Sequence, residues 1–483
     1  MSIPKPNFNL LKKHILKLLR IEFVCLIIIS TSSCVENKKE VLDTNKPNIV
    51  YILADDLGYG DLSCYGQTKY ATPHIDALAK EGILFTQHYA GATVCAPSRS
   101  ALMTGQHTGH TPIRGNKKLE LPKESITIAE ILKENGYKTG AFGKWGLGTA
   151  HQEGSPLKQG FDTFYGYLDQ ALAHHYYPYH LWENDEKIIL EKNQGLQKGQ
   201  YAPHLIHKKA LTFIENHKNE PFFLYYPSII PHAELFAPED YLNKFKGKFN
   251  PEKPFKGLDE GEKYKKGRYG SQEYPRAAFA AMVTLLDDQV GEIIQKVKDL
   301  GLEENTIFIF TSDNGPHKEG GANPNYFDSN GILKGYKRDL FEGGIRVPMI
   351  AKWKGKIEPA SKTGHISAFW DIMPTITDVL DTETPQNSNG ISFLPTLLSE
   401  DHQENHDYLY WEFHEKGGRQ AIRKDNWKLV KYKVKETPEY FLFNLDKDPS
   451  ETKNLSKEYP EKLNKLTALL ENTRSASKDF KFN

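Results

Sequence analysis

Cys95 is followed two residues later by Pro97 and four residues later by Arg99, in the run Thr93-Val94-Cys95-Ala96-Pro97-Ser98-Arg99-Ser100-Ala101-Leu102-Met103-Thr104-Gly105. Proline suits the first turn of a helix, where a missing N–H costs nothing, and glycine suits the end of one. The spacing therefore predicts a helix that begins beside Cys95 and offers its free N–H groups to an anion. Arg99, about one turn further on, presents a cationic fork to an oxyanion near Cys95. A doubly charged, tetrahedral substrate would fit. An isolated cysteine can equally be a small buried hydrophobe or half of a disulfide, so its reading depends on what else converges on it.

Two oxygen-rich pairs are candidates for that convergence. Asp55-Asp56 follows the apolar run Ile49 to Ala54, and Asp313-Asn314 follows the run Thr306 to Thr311. Both runs read as strands buried on two faces, and open α/β sheets bind ligands beyond the carboxyl ends of such strands. Adjacent carboxylates repel unless a cation lies between them, and an all-oxygen set favours calcium or magnesium over zinc. Asp287-Asp288 is the contrasting case. It lies within an amphipathic helical stretch, Phe279 to Val297, where neighbouring side chains diverge by about 100° and cannot easily share an ion; it reads as helix surface.

The elements that must position these groups alternate in the α/β manner. Helices are expected over Thr72 to Ala79, Ile126 to Asn135, Phe279 to Leu300 and His365 to Asp381, with strands over Phe85 to Tyr89, Lys138 to Phe142, Pro221 to Tyr226 and Val347 to Trp353. The stretch Leu168 to Trp182, with His174, His175 and His180 among tyrosines, is either a sugar-binding wall or a packed surface loop. Lys244 to Tyr269 is charged and aperiodic, a surface excursion that could form a lid. His107, His110 and Arg114 read as structural. From about residue 405 the pattern changes to short strands, Tyr408 to Phe413, Arg419 to Arg423, Trp427 to Tyr432 and Phe441 to Asn444, closed by a helix over Pro460 to Arg474.

Bulk properties narrow the function classes. Lys+Arg and Asp+Glu number 62 each among 483 residues, so no net basicity points to nucleic acid and any anion site must be local. Lys12, Lys13 and Arg20 precede an apolar run, Ile21 to Ile29, which ends in Ser30-Thr31-Ser32-Ser33-Cys34. That is a secretory signal too short for a comfortable membrane span. The small residues before Cys34 resemble a bacterial lipoprotein cleavage box, with a plain cleaved signal or an uncleaved anchor as alternatives. The expected organisation is a signal at 1–33, a tether at 34–46, a catalytic domain at 47–404 and a C-terminal subdomain at 405–483. On this reading the protein is exported to the periplasm or cell surface and meets the membrane only through a lipid on Cys34. Apart from Cys34, only Cys64 and Cys95 remain after the signal, too few for a disulfide scaffold.

The order Cys95-Xaa-Pro97-Ser98-Arg99 followed by Ala101-Leu102-Met103-Thr104-Gly105 resembles the formylglycine motif of the type I sulfatases. Asp55-Asp56-Leu57-Gly58-Tyr59-Gly60, Gly143-Lys144-Trp145-Gly146-Leu147-Gly148, Gly160-Phe161-Asp162, Pro231-His232 and Glu342-Gly343-Gly344 extend the likeness from about Asn48 to the end. The resemblance implies an alkaline phosphatase-like three-layer α/β sandwich with a large mixed sheet, and a smaller C-terminal domain with an antiparallel sheet and a helix. It implies sulfate ester hydrolysis through Cys95 oxidised by a maturation enzyme to 3-oxoalanine, with Arg99, Lys144, His232 and Lys337 as catalytic groups. It also implies one calcium ion, less readily magnesium, on Asp55, Asp56, Asp313, Asn314 and residue 95. His232 would protonate the leaving alcohol; Lys334 and Arg338 are alternatives to Lys337. Many members carry a histidine where this chain has Gly146, so His151 or water must serve there instead. His151, His174 and His175 are the substrate-binding candidates, and a sulfated glycan, of galactose or N-acetylgalactosamine, is the expected partner. The rivals are a phosphoester or phosphonate monoester hydrolase of the same superfamily, and an inactive glycan-binding lipoprotein. Two-zinc relatives need more histidine ligands than Asp313-Asn314 supplies.

Overall fold

The computed structural model describes residues 46–482 and the first two residues; Cys34 and the leader lie outside the described residues. Its framework is a mixed sheet of eleven strands: β1 (Asn48–Ala54), β2 (Ile83–Tyr89), β3 (Lys138–Lys144), β4 (Thr163–Tyr167), β5 (His180–Glu183), β6 (Glu186–Ile189), β7 (Phe222–Pro227), β8 (Thr306–Ser312), β9 (Arg346–Trp353), β10 (Ser361–Thr363) and β11 (Ser367–Ala368). The order across the sheet is β10-β2-β9-β8-β1-β7-β3-β4-β5-β6, with β11 also on β2. β8, β1, β7, β3 and β4 run parallel, whereas β9 is antiparallel to β8 and β2.

Every residue of β1, β7 and β8 is buried, because both faces are covered. Val50 and Ile52 of β1 pack with Leu224 and Phe308 against the helices Pro73–Lys80, Ala202–Asn216 and Pro275–Asp299. The alternate residues Ile49, Tyr51 and Leu53 pack with Phe223 and Ile309 against the helices Cys95–Thr104, Ile128–Glu134 and Ile372–Val379. The strand period of two thus separates two cores and makes a three-layer sandwich.

Local signals set the ends of these elements. Helix Ile128–Glu134 is capped by Thr127, whose side chain accepts from Glu130 N–H while the Glu130 carboxylate accepts from Thr127 N–H. The expected helix over 365–381 is shorter, since Ser367 and Ala368 pair with β2 and a single 3-10 turn intervenes before Ile372. Asp287 corrects the surface reading of its pair. It is fully buried, and its carboxylate accepts N–H bonds from His74 (3.1 Å) and Ile75 (2.8 Å) at the start of helix Pro73–Lys80. The helical period shows that Asp287 and Asp288 diverge; it cannot reveal a second helix end docked on one of them.

The second sheet is antiparallel, in the order β12 (Leu409–Phe413), β13 (Arg419–Lys424), β14 (Trp427–Tyr432) and β15 (Glu439–Asn444). Leu466 and Leu470 of the closing helix Pro460–Asn472 pack on one face with Ile422 and Leu429. The other face, through Trp411 and Val430, packs on Leu340 and Trp370 of the catalytic region. Two buried charge clusters join the layers. Lys428 lies between Glu342 (2.8 Å) and Glu451 (3.0 Å), and Glu412 meets Arg114 and Arg474.

Candidate active site

The site forms where β1, β3, β7 and β8 end. The Asp313 N–H donates to Ala54 O (3.0 Å), the Asp56 N–H to Asp313 Oδ1 (3.1 Å), and the Leu57 N–H to Ser312 Oγ (2.9 Å). These bonds splice the ends of two adjacent strands and bring together carboxylates 257 residues apart. Asp56 adopts the left-handed region at φ 65°, a conformation that an aspartate tolerates better than most residues. The Asp55 N–H donates to Ile230 O (3.0 Å), which ties the segment after β7, and so His232, to the same point.

Cys95 is the first residue of its helix and 3% exposed. Its Sγ lies 3.2 Å from Asp55 Oδ1 and 3.8 Å from Asp56 Oδ1, and Lys337 Nζ approaches to 3.7 Å. Burial pushes the thiol pKa up, as do Asp313 and Asp55, and Lys144 and Lys337 do not offset them. In this arrangement the Cys95 Sγ faces carboxylate oxygens with two ammonium groups close by. Lys144 Nζ lies 2.7 Å from Asp55 Oδ2, and Lys337 Nζ 2.7 Å from Asp56 Oδ2. Burial opposes ionisation of Asp55, but Lys144, His232, Arg99 and Lys337 outweigh it and hold its pKa well below the usual carboxylate range.

Arg99 is wholly buried. Nε and Nη2 donate to Asp313 Oδ2 at 3.0 and 2.8 Å, and Nη1 donates to the Lys144 carbonyl. It braces a carboxylate and the end of β3, and Nη2 also lies 3.7 Å from Asp55 Oδ2, the carboxylate that Cys95 touches. Of the alternatives around Lys337, Lys334 donates to Glu451 O and Arg338 pairs with Glu319, so Lys337 alone joins the cluster.

His232 Nε2 stands 3.4 Å from Asp56 Oδ2, and its Nδ1 meets Ala233 O. Its ring is stacked between His174 (centroids 4.9 Å apart) and His317 (5.6 Å). Burial, with Lys337 beside it, holds this imidazole well below its ordinary pKa. His174 thus belongs to the site, fixed by its Nδ1 at 2.7 Å from Gly267 O. His175 does not reach the cluster; its Nε2 is spent on Tyr264 O (2.9 Å). His151 is turned outward, with a side chain 78% exposed beside Asp185, and is not brought to the site. His317 and Tyr269, which packs edge-on to His232, were not identified from sequence. His317 had a faint signal, three residues past Asn314.

Asp55 and Asp56 oxygens, Cys95 Sγ and a His232 nitrogen all lie within 4.8 Å of one another. Asp313 and Asn314 close the group, and the Asn314 Oδ1 is buried without a partner while its Nδ2 donates to Asp56 Oδ1 (2.6 Å). Three carboxylates and an orphaned amide oxygen fit a hard divalent cation. Burial and the adjacent Asp55 raise the Asp313 pKa despite Arg99; a divalent charge would reverse that.

Solved structures share this architecture almost end to end. The crystal structure of Ps i-CgsB in complex with k-i-k-neocarrahexaose superposes with a TM-score of 0.74 at 28% identity, covering 90% of this chain and 94% of that one. The fold is that of the alkaline phosphatase superfamily. Residues 47–382 match the family described as Sulfatase, and residues 334–476 match N-sulphoglucosamine sulphohydrolase, C-terminal. An N-acetylgalactosamine-6-O-sulfatase of Bacteroides thetaiotaomicron is 31% identical over 90% of this chain and 94% of its own length. Human arylsulfatase A is 31% identical over 73% of this chain and 68% of its own. The chain belongs to the sulfatase family, as a type I sulfatase, and is a sulfuric ester hydrolase.

Proposed function

We propose that this enzyme removes sulfate from a sulfated carbohydrate, using formylglycine made from Cys95 by a maturation enzyme. The surroundings of Cys95 carry this reading. The residue starts a helix beside Lys337 and a cluster of oxygens that fits a divalent cation, with Lys144 on the adjoining carboxylate. An oxygen nucleophile generated at this position would meet a sulfate group held by those charges.

Formylglycine would supply a hydrated aldehyde, one hydroxyl of which meets sulfur while the other later expels sulfate. A divalent cation, calcium by preference, would be held by Asp55, Asp56, Asp313 and Asn314 and would polarise a sulfate oxygen. The chain's own residues do the rest. Lys144 and Lys337 fix ammonium charges on either side of residue 95, preorganised for the charge that develops on sulfate. Arg99 keeps Asp313 oriented, and His232, once it has taken up a proton at Nε2, would pass it to the departing alkoxide. The Bacteroides relative and the neocarrahexaose complex of Ps i-CgsB support a sulfated glycan of galactose or N-acetylgalactosamine. An exported enzyme, lipid-anchored through Cys34 at a bacterial periplasmic or outer surface, would meet such a polymer.

The test is expression with a maturation enzyme, mass spectrometry of the Cys95 peptide, and parallel assays on aryl sulfate and aryl phosphate. Conversion of the thiol to aldehyde, sulfate preference and loss of activity in Cys95→Ala are expected. A persistent thiol in active protein, or a clear preference for phosphate, would overturn the proposal.

A further inference from the structure

Gly146 stands two residues beyond Lys144 at φ 78°. A Cβ placed on it would lie 2.1 Å from Gln170 Nε2, 3.0 Å from Cδ and 3.7 Å from Cγ. The end of the Gln170 side chain thus fills the volume that any side chain at 146 would need. The approach is held in place: the N–H groups of Trp145 and Gly146 donate to Tyr167 O (2.9 Å) and Leu168 O (3.0 Å), continuing the β3–β4 pairing to within two residues of Gln170.

The Gln170 Nε2 is shut off from solvent and has no hydrogen-bond partner. A buried donor left unpaired costs about 1–3 kcal/mol, so an orphan of this kind calls for a ligand or a function. Its surroundings indicate which. Two residues before Gly146, Lys144 reaches Asp55, whose other carboxylate oxygen lies 3.2 Å from Cys95 Sγ. Four residues on from Gln170 in the chain, His174 stacks on His232. A neutral donor that meets the turn following Lys144 and is carried on the segment that leads to His174 suits an anionic oxygen.

We propose that Gln170 is a substrate-binding residue whose amide N–H donates to a sulfate oxygen of the bound ester, in space opened by Gly146. The assignment rests on the sulfate-ester reading of the Cys95 site. It also answers what stands where a histidine would: a donor that cannot titrate, reached from β4, rather than the outward-facing His151. A glutamine there binds and orients sulfate without exchanging a proton with the hydrate.

Gln170→Met keeps the volume and removes the donor; Gln170→Glu replaces the donor with a repelling charge. With calcium-loaded full-length enzyme, sulfate is titrated and followed by its thermal stabilisation of the protein and by its inhibition of aryl sulfate turnover. Gln170→Met is expected to weaken sulfate binding and raise KM about tenfold, as for one lost hydrogen bond to a charged group, with kcat changing less. It should leave the melting temperature without sulfate unchanged or higher, because no existing bond is lost; Gln170→Glu should bind sulfate more weakly still. Unaltered sulfate binding in Gln170→Met, or a lower melting temperature without sulfate, would overturn the assignment while leaving the site reading intact. If the unsubstituted enzyme neither binds sulfate nor cleaves the ester, the underlying reading fails as well.

Discussion

Replacing Glu412 with glutamine should loosen the seam between the C-terminal sheet and the catalytic region by an amount that depends on pH. The Glu412 carboxylate is buried and accepts from Arg474 Nε (2.7 Å), Tyr410 OH (2.8 Å), His414 Nε2 (2.9 Å) and Arg114 Nη1 (3.4 Å). Burial pushes its pKa up, but the hydrogen bonds from His414 and Arg474 prevail and bring it down to about 2. An unfolded glutamate titrates near 4.3, so the shift corresponds to about 3 kcal/mol of native-state stability. The folded pKa is the depressed one; the contribution is therefore complete above about pH 4.3 and is lost as pH falls through about 2. The independent figure for breaking a buried ion pair, about 3–5 kcal/mol, is of the same size. Urea unfolding of Glu412→Gln against the natural chain should show a gap of about 3 kcal/mol, the same near pH 7 and pH 5. Near pH 3.5 the gap should narrow to about 2 kcal/mol, as the unfolded chain binds its proton first. A gap below about 1 kcal/mol at neutral pH, typical of exposed pairs, would refute the reasoning, and so would one that ignores pH.

Two further substitutions probe the chemistry and the frame. His232→Ala should cost about 10²–10⁴ in kcat/KM on a sugar sulfate, whose alkoxide needs a proton, and far less on an activated aryl sulfate that leaves without one. Equal losses on both substrates would assign His232 to binding. Asp287→Ala removes the acceptor for two N–H groups at the start of helix Pro73–Lys80 and should cost about 1–2 kcal/mol in denaturant melts, with KM unchanged; no loss of stability would contradict the cap.

What could be read from sequence divides along the length scale of the interaction. Asp55-Asp56 and Asp313-Asn314 were readable because each pair ends an apolar run, and strand ends are where such sheets bind ligands. The helix at Cys95 was readable from Pro97 and Gly105, both local signals. The bond from Arg99 to Asp313 was not readable, since that partner lies 214 residues away. Asp287 likewise depends on N–H groups more than 200 residues distant. The gap at Gly146 shows the same limit most plainly. Proximity in sequence favoured His151, whereas β3–β4 pairing brings Gln170, which carries no motif and whose only mark is an unpaired buried N–H.

The splice between β1 and β8 has a consequence for how the enzyme comes into being. Asp55 and Asp56 are made early and wait for Asp313 and Asn314 until about a further 250 residues have been added, and pairings of such long range form slowly. An ion held by the full set of groups would stabilise only a chain whose central strands have already closed, because neither half of the site holds that set. Any stabilisation that an ion at this point gave would therefore go to completed molecules and not to partly built ones.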